Sequence, residues 1–182
     1  MINERGMKFL ESGEGLDFYL YRPTVRRLYY DDGKEREWPV HQTALSHRLH
    51  LWLYMLLGGY RILYMTKDDD VVSYIVFTRG SRFVIRGSTR KDLYTIFIWT
   101  YPEYRRQGRA AALLREYLHG LDFEYETAYK TIVGSNTASV KAAEASGYRR
   151  LYPVRRTRVL HAARRAEDGD YFLYAYTNGS AV

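Results

Sequence analysis

Apolar positions along the chain change their period several times, and each change predicts an element. Residues 16–30 alternate, with Phe18, Leu20, Leu28 and Tyr30 on the apolar side and Pro23 as an interruption, so they read as an extended segment or a hairpin arm. Asp31-Asp32-Gly33-Lys34 is a turn. After Trp38-Pro39, Leu45, Leu49, Trp52, Leu53, Leu56 and Leu57 recur at spacings of three and four up to Gly58-Gly59, which predicts an amphipathic helix whose leucine stripe packs on a sheet. Strands are expected over 60–66 and 71–79, joined by the acidic turn Lys67-Asp68-Asp69-Asp70, then over 82–86 and 93–101. A helix over about 108–119 carries Ala111, Leu114, Tyr117 and Leu118 on or near one face and stops at Gly120. A short buried strand at 131–133, a helix over 136–146 and strands near 148–160 and 171–176 complete the pattern, with no internal repeat or linker.

Two of the junctions carry chemistry. Arg105-Arg106-Gln107-Gly108-Arg109-Ala110 joins the β-branched and aromatic run Thr95-Ile96-Phe97-Ile98-Trp99-Thr100 to an apolar helix. A loop that wraps a pyrophosphate needs backbone N–H groups aimed at one point, hence a residue without Cβ, here Gly108, and the helix N-terminus adds partial positive charge. The flanking guanidinium groups suit phosphate oxygens. In the second junction, Asn136 or Ser135 is a good N-cap for an alanine-rich helix that ends at Gly147-Tyr148, where glycine supplies a left-handed residue.

The first segment resembles the acyl-CoA loop of the GNAT superfamily of N-acetyltransferases, Arg/Gln-x-x-Gly-x-Gly/Ala, and the second, Asn136 to Tyr148, resembles its Asn-x-x-Ala/Ser, short helix, Gly-aromatic signature. Between Gly108 and Asn136 there is room for one helix and one strand, the two elements that family has there. The likeness is strong for about residues 93–151 and topological elsewhere. It implies an α/β GNAT fold, a central mixed, mostly antiparallel twisted sheet flanked by helices, in one domain over residues 1–182. It also implies an acetyl-CoA-dependent N-acetyltransferase in which an amine attacks the thioester directly. By the same resemblance, main-chain groups around Trp99 and Thr100 hold the pantetheine arm and polarise the carbonyl, and Arg105, Arg106, Gln107, Gly108, Arg109, Ala110 and Ala111 hold the pyrophosphate. Asn136 bonds the pantetheine arm or its surroundings in addition to capping its helix. Ser139 either contacts the cofactor or bonds locally within the helix.

The resemblance also shows departures. Many family members carry an acidic tyrosine seven positions after the motif asparagine, and this chain has Ala143 there. The pattern is closer to the subgroup of ribosomal-protein and amino-sugar acetyltransferases. Where some relatives place a glutamate base, this chain has Tyr94, too weak a base at neutral pH. Asp92, two residues earlier with the same strand parity, is therefore the candidate base, against the alternative of a solvated turn residue. Glu103 receives no role.

Composition narrows the picture. The chain has 182 residues and no cysteine, which rules out disulfides and a thiol nucleophile. Its start has no signal-sequence pattern and its longest apolar stretch, residues 51–57, is too short to span a bilayer, so a cytoplasmic protein without membrane contact is expected. A net charge of +7 favours an anionic partner: coenzyme A first, a nucleotide-linked sugar second, nucleic acid as the weakest choice. The pairs Arg149-Arg150 and Arg164-Arg165, and Arg155-Arg156-x-Arg158, read as solvated strand faces and loop edges. Most of the nineteen tyrosines read as strand residues with an apolar body and a wet tip. His41, His47 and His50 have no Asp, Glu or Cys at ligand spacing, so no metal is expected, and one histidine of this helix shuttling the acceptor proton is the better reading. The leading function is acetyl transfer to a primary amine of a small molecule, with an amino sugar as the first substrate class. The alternative is a non-catalytic acyl-CoA-binding or nucleic-acid-binding module. A homodimer is left open.

Overall fold

The computed structural model describes residues 7–13, 15–30, 44–158 and 162–179. The expected turn at 31–34, Trp38-Pro39 and His41 lie outside them. Among the described residues the strands are β1 (Met7–Gly13), β2 (Leu16–Tyr21), β3 (Tyr60–Lys67), β4 (Asp70–Arg79), β5 (Leu93–Thr100), β6 (Thr127–Val133), β7 (Arg149–Arg156), β8 (Ala163–Arg165) and β9 (Tyr171–Thr177). The helices are α1 (Leu45–Leu56), α2 (Arg109–His119) and α3 (Thr137–Ala145). One sheet runs β1-β2-β3-β4-β5-β6-β9-β7-β8, and every neighbouring pair is antiparallel except β5 with β6. A mixed, mostly antiparallel sheet with helices on both faces is thus the architecture.

Two cores follow from the two faces. On the first, Leu113, Leu114, Tyr117 and Leu118 of α2 and Ala143 of α3 pack with Leu63, Met65, Ile75 and Phe77. On the second, Leu51 and Tyr54 of α1 pack with Ile62, Tyr64, Tyr74, Val76 and Tyr94. Central strands covered on both sides lose polar alternation, which is why β4 is buried from Val71 to Thr78. The β3–β4 turn places Asp68 at φ 51° and Asp69 at φ 64°, the left-handed pair of a tight hairpin, a conformation Asp tolerates through its short polar side chain.

Four expectations need correction. The helix over 45–57 forms, but its leucine stripe points outward: Leu45, Leu49 and Leu56 are 67%, 51% and 85% exposed, while Leu51 and Tyr54 are buried. From Leu51 to Leu56 every residue of α1 is apolar or aromatic, so spacing alone leaves more than one candidate inner face. Tertiary anchoring selects the one on which His47 meets Phe97 of β5. Residues 82–86 are a turn rather than a strand. The amides of Val84 and Ile85 bond the Ser81 carbonyl, and Ser88 Oγ bonds the carbonyls of Ser81 and Ile85, so the main chain closes on itself. Val84 and Ile85 are buried as a plug, with one bridge from Ile85 to Ala163. The strand expected at 131–133 begins at Thr127, with Ala128, Lys130 and Ile132 facing inward in alternation. The region 148–160 holds β7, broken by a bulge between Arg150 and Pro153 where a ladder donor is not needed, and the three-residue β8 follows it. Strand β1, whose apolar alternation is weak, was not expected.

Candidate active site

Strand β5 organises the site. It pairs with β4 along its whole length, and Ile96 is an extra residue there, since Phe97 opposes Val76 and Thr95 opposes Phe77. On its other side the parallel pairing with β6 ends at Thr95 and Lys130. Strand β6 continues to Val133 alongside β9, and β5 continues to Thr100 alongside β4. The two strands therefore part just after the bulge and open a cleft through the sheet.

The loop lies at the end of β5 where the strands have parted. A 3-10 turn, Pro102–Tyr104, leads into it. Arg106 has φ 61° and Gly108 has φ 72°, so two left-handed residues fall within three positions, a form that turns successive N–H groups to one side. The amides from Arg106 to Ala110 have no hydrogen-bond acceptor among the described residues, and the Gly108 carbonyl accepts from Ala111 and Ala112 as α2 starts. A Cβ built on Gly108 would meet nothing within 4 Å, so the space in front of the main chain is open. Arg109 Nε is buried without a hydrogen-bond partner. Open space, outward amides and an orphaned guanidinium nitrogen fit a phosphate-bearing ligand.

Neighbouring side chains brace this loop. Arg105 Nε donates to the Thr100 carbonyl at 3.0 Å and its guanidinium lies 5.1 Å from the Trp99 ring. Ser73 Oγ donates to the Trp99 carbonyl at 2.7 Å, and Gln107 Nε2 donates to the Glu103 carbonyl at 3.1 Å. Asn136 caps α3 by accepting from the Ser139 amide at 3.1 Å, and α3 packs beside α2.

The second face supplies a different set. His47 of α1 meets the Phe97 ring edge-on, with centroids 5.7 Å apart. Burial lowers the His47 pKa, and the nearby charges of His50 and Arg156 lower it further, so its ring is neutral at pH 7. Tyr94 OH and Thr131 Oγ1 are 3.3 Å apart across the parting strands. Burial raises the Tyr94 pKa and removes it as a base. Arg156 lies over the Tyr171 ring, 5.2 Å from its centroid. At the apex of the cleft, on the first face, Lys130 is buried under the Tyr148 ring, and burial pushes its pKa down to about 7.

A cavity of about 1000 Å³ at the opposite end of β5 involves Arg79, Arg90, Lys91, Glu124 and Glu126. Several of its charges are already matched: Lys91 pairs with Glu126 at 2.8 Å, and Arg79 donates to the Glu124 carbonyl. The cleft at the other end, with its outward amides, is the stronger site.

The profile of the Acetyltransferase (GNAT) family matches residues 24–148. The chain belongs to that family. No curated protein matches it in sequence. Its fold is similar to that of the ribosomal L7/L12 alpha-N-protein acetyltransferase, with TM-score 0.57, 14% identity and coverage of 94% of this chain and 98% of the other. The microcin C7 self-immunity acetyltransferase, solved with acetyl-CoA and AMP, gives TM-score 0.57, 12% identity and coverage of 91% and 93%. The ribosomal-protein-S18-alanine N-acetyltransferase from Escherichia coli gives 0.55, 16% and coverage of 91% and 96%. At these identities the likeness is one of fold.

Within this GNAT protein the structure brings Trp99, Thr100 and residues 105–111 together at one end of the cleft, with Asn136 and Ser139 on the adjoining helix. Asp92 is not among them. It precedes the first residue of β5, roughly 25 Å from the loop at the ordinary rise of a strand. There its carboxylate accepts from the Thr89 amide at 2.7 Å and from the Thr89 hydroxyl at 3.3 Å, which closes the preceding turn. Lys130 and Arg156 were missed as site residues. Lys130 sits between Ala128 and Ile132 at a period of two, a signal available in the sequence. Arg156 was hidden in a run of arginines, and only its pairing with Ala163 in β8 shows which way it faces.

Proposed function

We propose that this protein is an acetyl-CoA-dependent N-acetyltransferase that acts on a small molecule bearing a primary amine. The observation that carries this reading is the loop with left-handed Arg106 and Gly108 at the mouth of the β5–β6 cleft. Amides 106–110 and Arg109 would hold the pyrophosphate, with Arg105, Arg106, Gln107 and Ala111 shaping the cradle. Strand β5 up to Trp99 and Thr100 would hold the pantetheine arm in the cleft, with Asn136 and Ser139 at its flank. Acetyl-CoA, when bound, supplies an activated thioester.

The rest is done by the chain's own groups. The cleft sets acceptor nitrogen and thioester carbon in line, which removes most of the entropic cost of their encounter. His47, neutral and seated on Phe97, accepts the proton that the attacking ammonium must lose. Tyr152 and Tyr171, packed against the second core, suit a flat or sugar-like acceptor body. Asp92 plays no part in proton transfer in this reading, because its carboxylate is engaged at the far end of β5.

Calorimetry with CoA tests the loop, and release of free CoA from acetyl-CoA across an amine panel tests turnover. Binding with turnover is expected. Absence of CoA binding by the folded protein would overturn the loop assignment, and binding without turnover would convert the reading to a non-catalytic acyl-CoA module.

A further inference from the structure

Strands β5 and β6 part at Thr95 and Lys130, the last pair of their parallel ladder, whose side chains leave the sheet on the same face. On that face four polar side chains meet: Thr95 of β5, Lys130 of β6, Tyr117 of α2 and Tyr148 just before β7. All four are more than nine-tenths buried. Lys130 lies under the Tyr148 ring, 5.4 Å from its centroid, and the Thr95 hydroxyl acts on both phenols. Yet Thr95 Oγ1, Tyr117 OH and Tyr148 OH complete no hydrogen bond of normal geometry. Among the described residues Lys130 Nζ makes no hydrogen bond and no ion pair. Protein interiors rarely leave even one buried polar group unmatched, so four together mark a place that water or a ligand completes.

Position favours a ligand. The apex is the deepest point that an arm laid along β5 from the 105–111 loop can reach, so the sulfur and acyl group of a bound thioester come nearest to it. What acyl transfer creates at the sulfur is an anion, the thiolate. The cluster offers that anion three hydroxyl donors and an amine on a flexible four-carbon stem. The titratable groups facing Lys130 are the phenols of Tyr117 from α2, of Tyr148, and of Tyr174 and Tyr176 from β9. Glu144 of α3 acts on Tyr174 and not on Lys130, whose pKa is lowered by burial alone. Burial pushes Tyr117 and Tyr148 far above the ordinary phenol range, so neither gives up its proton at neutral pH. Burial brings Lys130 down to about 7, close to the range of an ordinary thiol.

Resting on the acetyltransferase reading above, we propose that Lys130 is a catalytic residue, the acid that protonates the CoA sulfur as the thioester breaks, with Thr95, Tyr117 and Tyr148 as the hydrogen-bonding wall around it. The acceptor nitrogen bonds the carbonyl carbon, the C–S electron pair leaves with the sulfur, and one proton passes to it from the Lys130 ammonium. The acceptor ammonium sheds two protons in becoming an amide: one restores Lys130 by way of solvent, and the other is released. This role gives a reason for a lysine at a position where alternation with Ala128 and Ile132 calls for an apolar residue.

The full chain in complex with CoA tests this before any acceptor is known. The ultraviolet absorbance of the thiolate is titrated against pH, with the desulfo-CoA complex as blank. In the wild type the bound thiolate should appear at least about one pH unit lower than in Lys130→Met, because an ammonium beside a thiol favours its charged form. Desulfo-CoA should bind the two proteins within about threefold, since the loop holds the rest of the molecule. For any amine that turns over, kcat of Lys130→Met should fall about a hundredfold with KM for acetyl-CoA nearly unchanged. The same thiol titration in both proteins, or an undiminished kcat in the variant, would overturn the proposal and leave the cluster to water, with the transferase reading intact. A folded wild type that binds neither CoA nor desulfo-CoA would overturn that reading and the proposal with it. If Lys130→Met does not fold, Lys130→Gln and free CoA serve as references, and a wild-type thiol that ionises no lower than free CoA decides against Lys130.

Discussion

The two sides of the cleft are built on different principles. The proposed donor side is a short contiguous stretch of main chain, residues 105–111, with left-handed turns at Arg106 and Gly108. On the proposed acceptor side, His47, Phe97, Tyr94, Arg156 and Tyr171 come from four elements far apart in the chain, and each contributes its side chain. Main-chain recognition needs little more than one glycine and a helix start, so it tolerates wide sequence change. A chamber of side chains depends on every register that brings them together, which lets its specificity vary while the donor side stays the same.

Substitutions can break this contrast. The largest effect is expected at Lys130, which lies at the apex shared by both sides. The unfolded chain takes up the lysine proton near pH 10.5 and the folded protein only near pH 7, so folding stability falls as pH drops from 10.5 to 7 and is level below. The penalty at pH 6 is on the order of 5 kcal/mol at most. Lys130→Met should recover much of it, and the gain should vanish by about pH 11, as read from urea melts across pH.

Gly108→Val should weaken CoA binding by at least about a hundredfold, since its branched side chain fills the open cradle and resists φ 72°. His47→Gln should lower kcat by about a hundredfold and leave CoA affinity unchanged. In the wild type kcat/KM should fall on acidification only below the ordinary histidine range, because burial lowers the His47 pKa, and the variant should lose that acid limb. Asn136→Ala should cost about 1 kcal/mol of stability through loss of the α3 cap. A larger drop in CoA affinity than in stability would add the contact with the pantetheine arm.

The donor side was readable because its determinants are near neighbours in the chain. A helix such as α2 separates its faces cleanly, with Arg115 exposed and Leu114, Tyr117 and Leu118 inside, so its apolar row names its inner face. Helix α1 shows the opposite case, for its leucine row is outermost. Residues 82–86 have strand composition yet form a plug, because Ser88 and the Ser81 carbonyl satisfy the main chain locally. Asp92 has the parity of a base and the hydrogen bonds of a turn staple.

Residue order by itself determined which segments become β4, β5, α2 and α3, and it placed a glycine and a helix start where an anion can be cradled. Those properties depend on backbone preferences and side-chain periods within a dozen residues. Tertiary structure alone decided that β5 and β6 part after Thr95, that α1 turns Leu51 and Tyr54 inward, and that Arg156 lies over Tyr171 while Arg155 meets Asp168. Register and facing are set by pairing between distant strands, and a shift of one residue would exchange every side chain between the two faces.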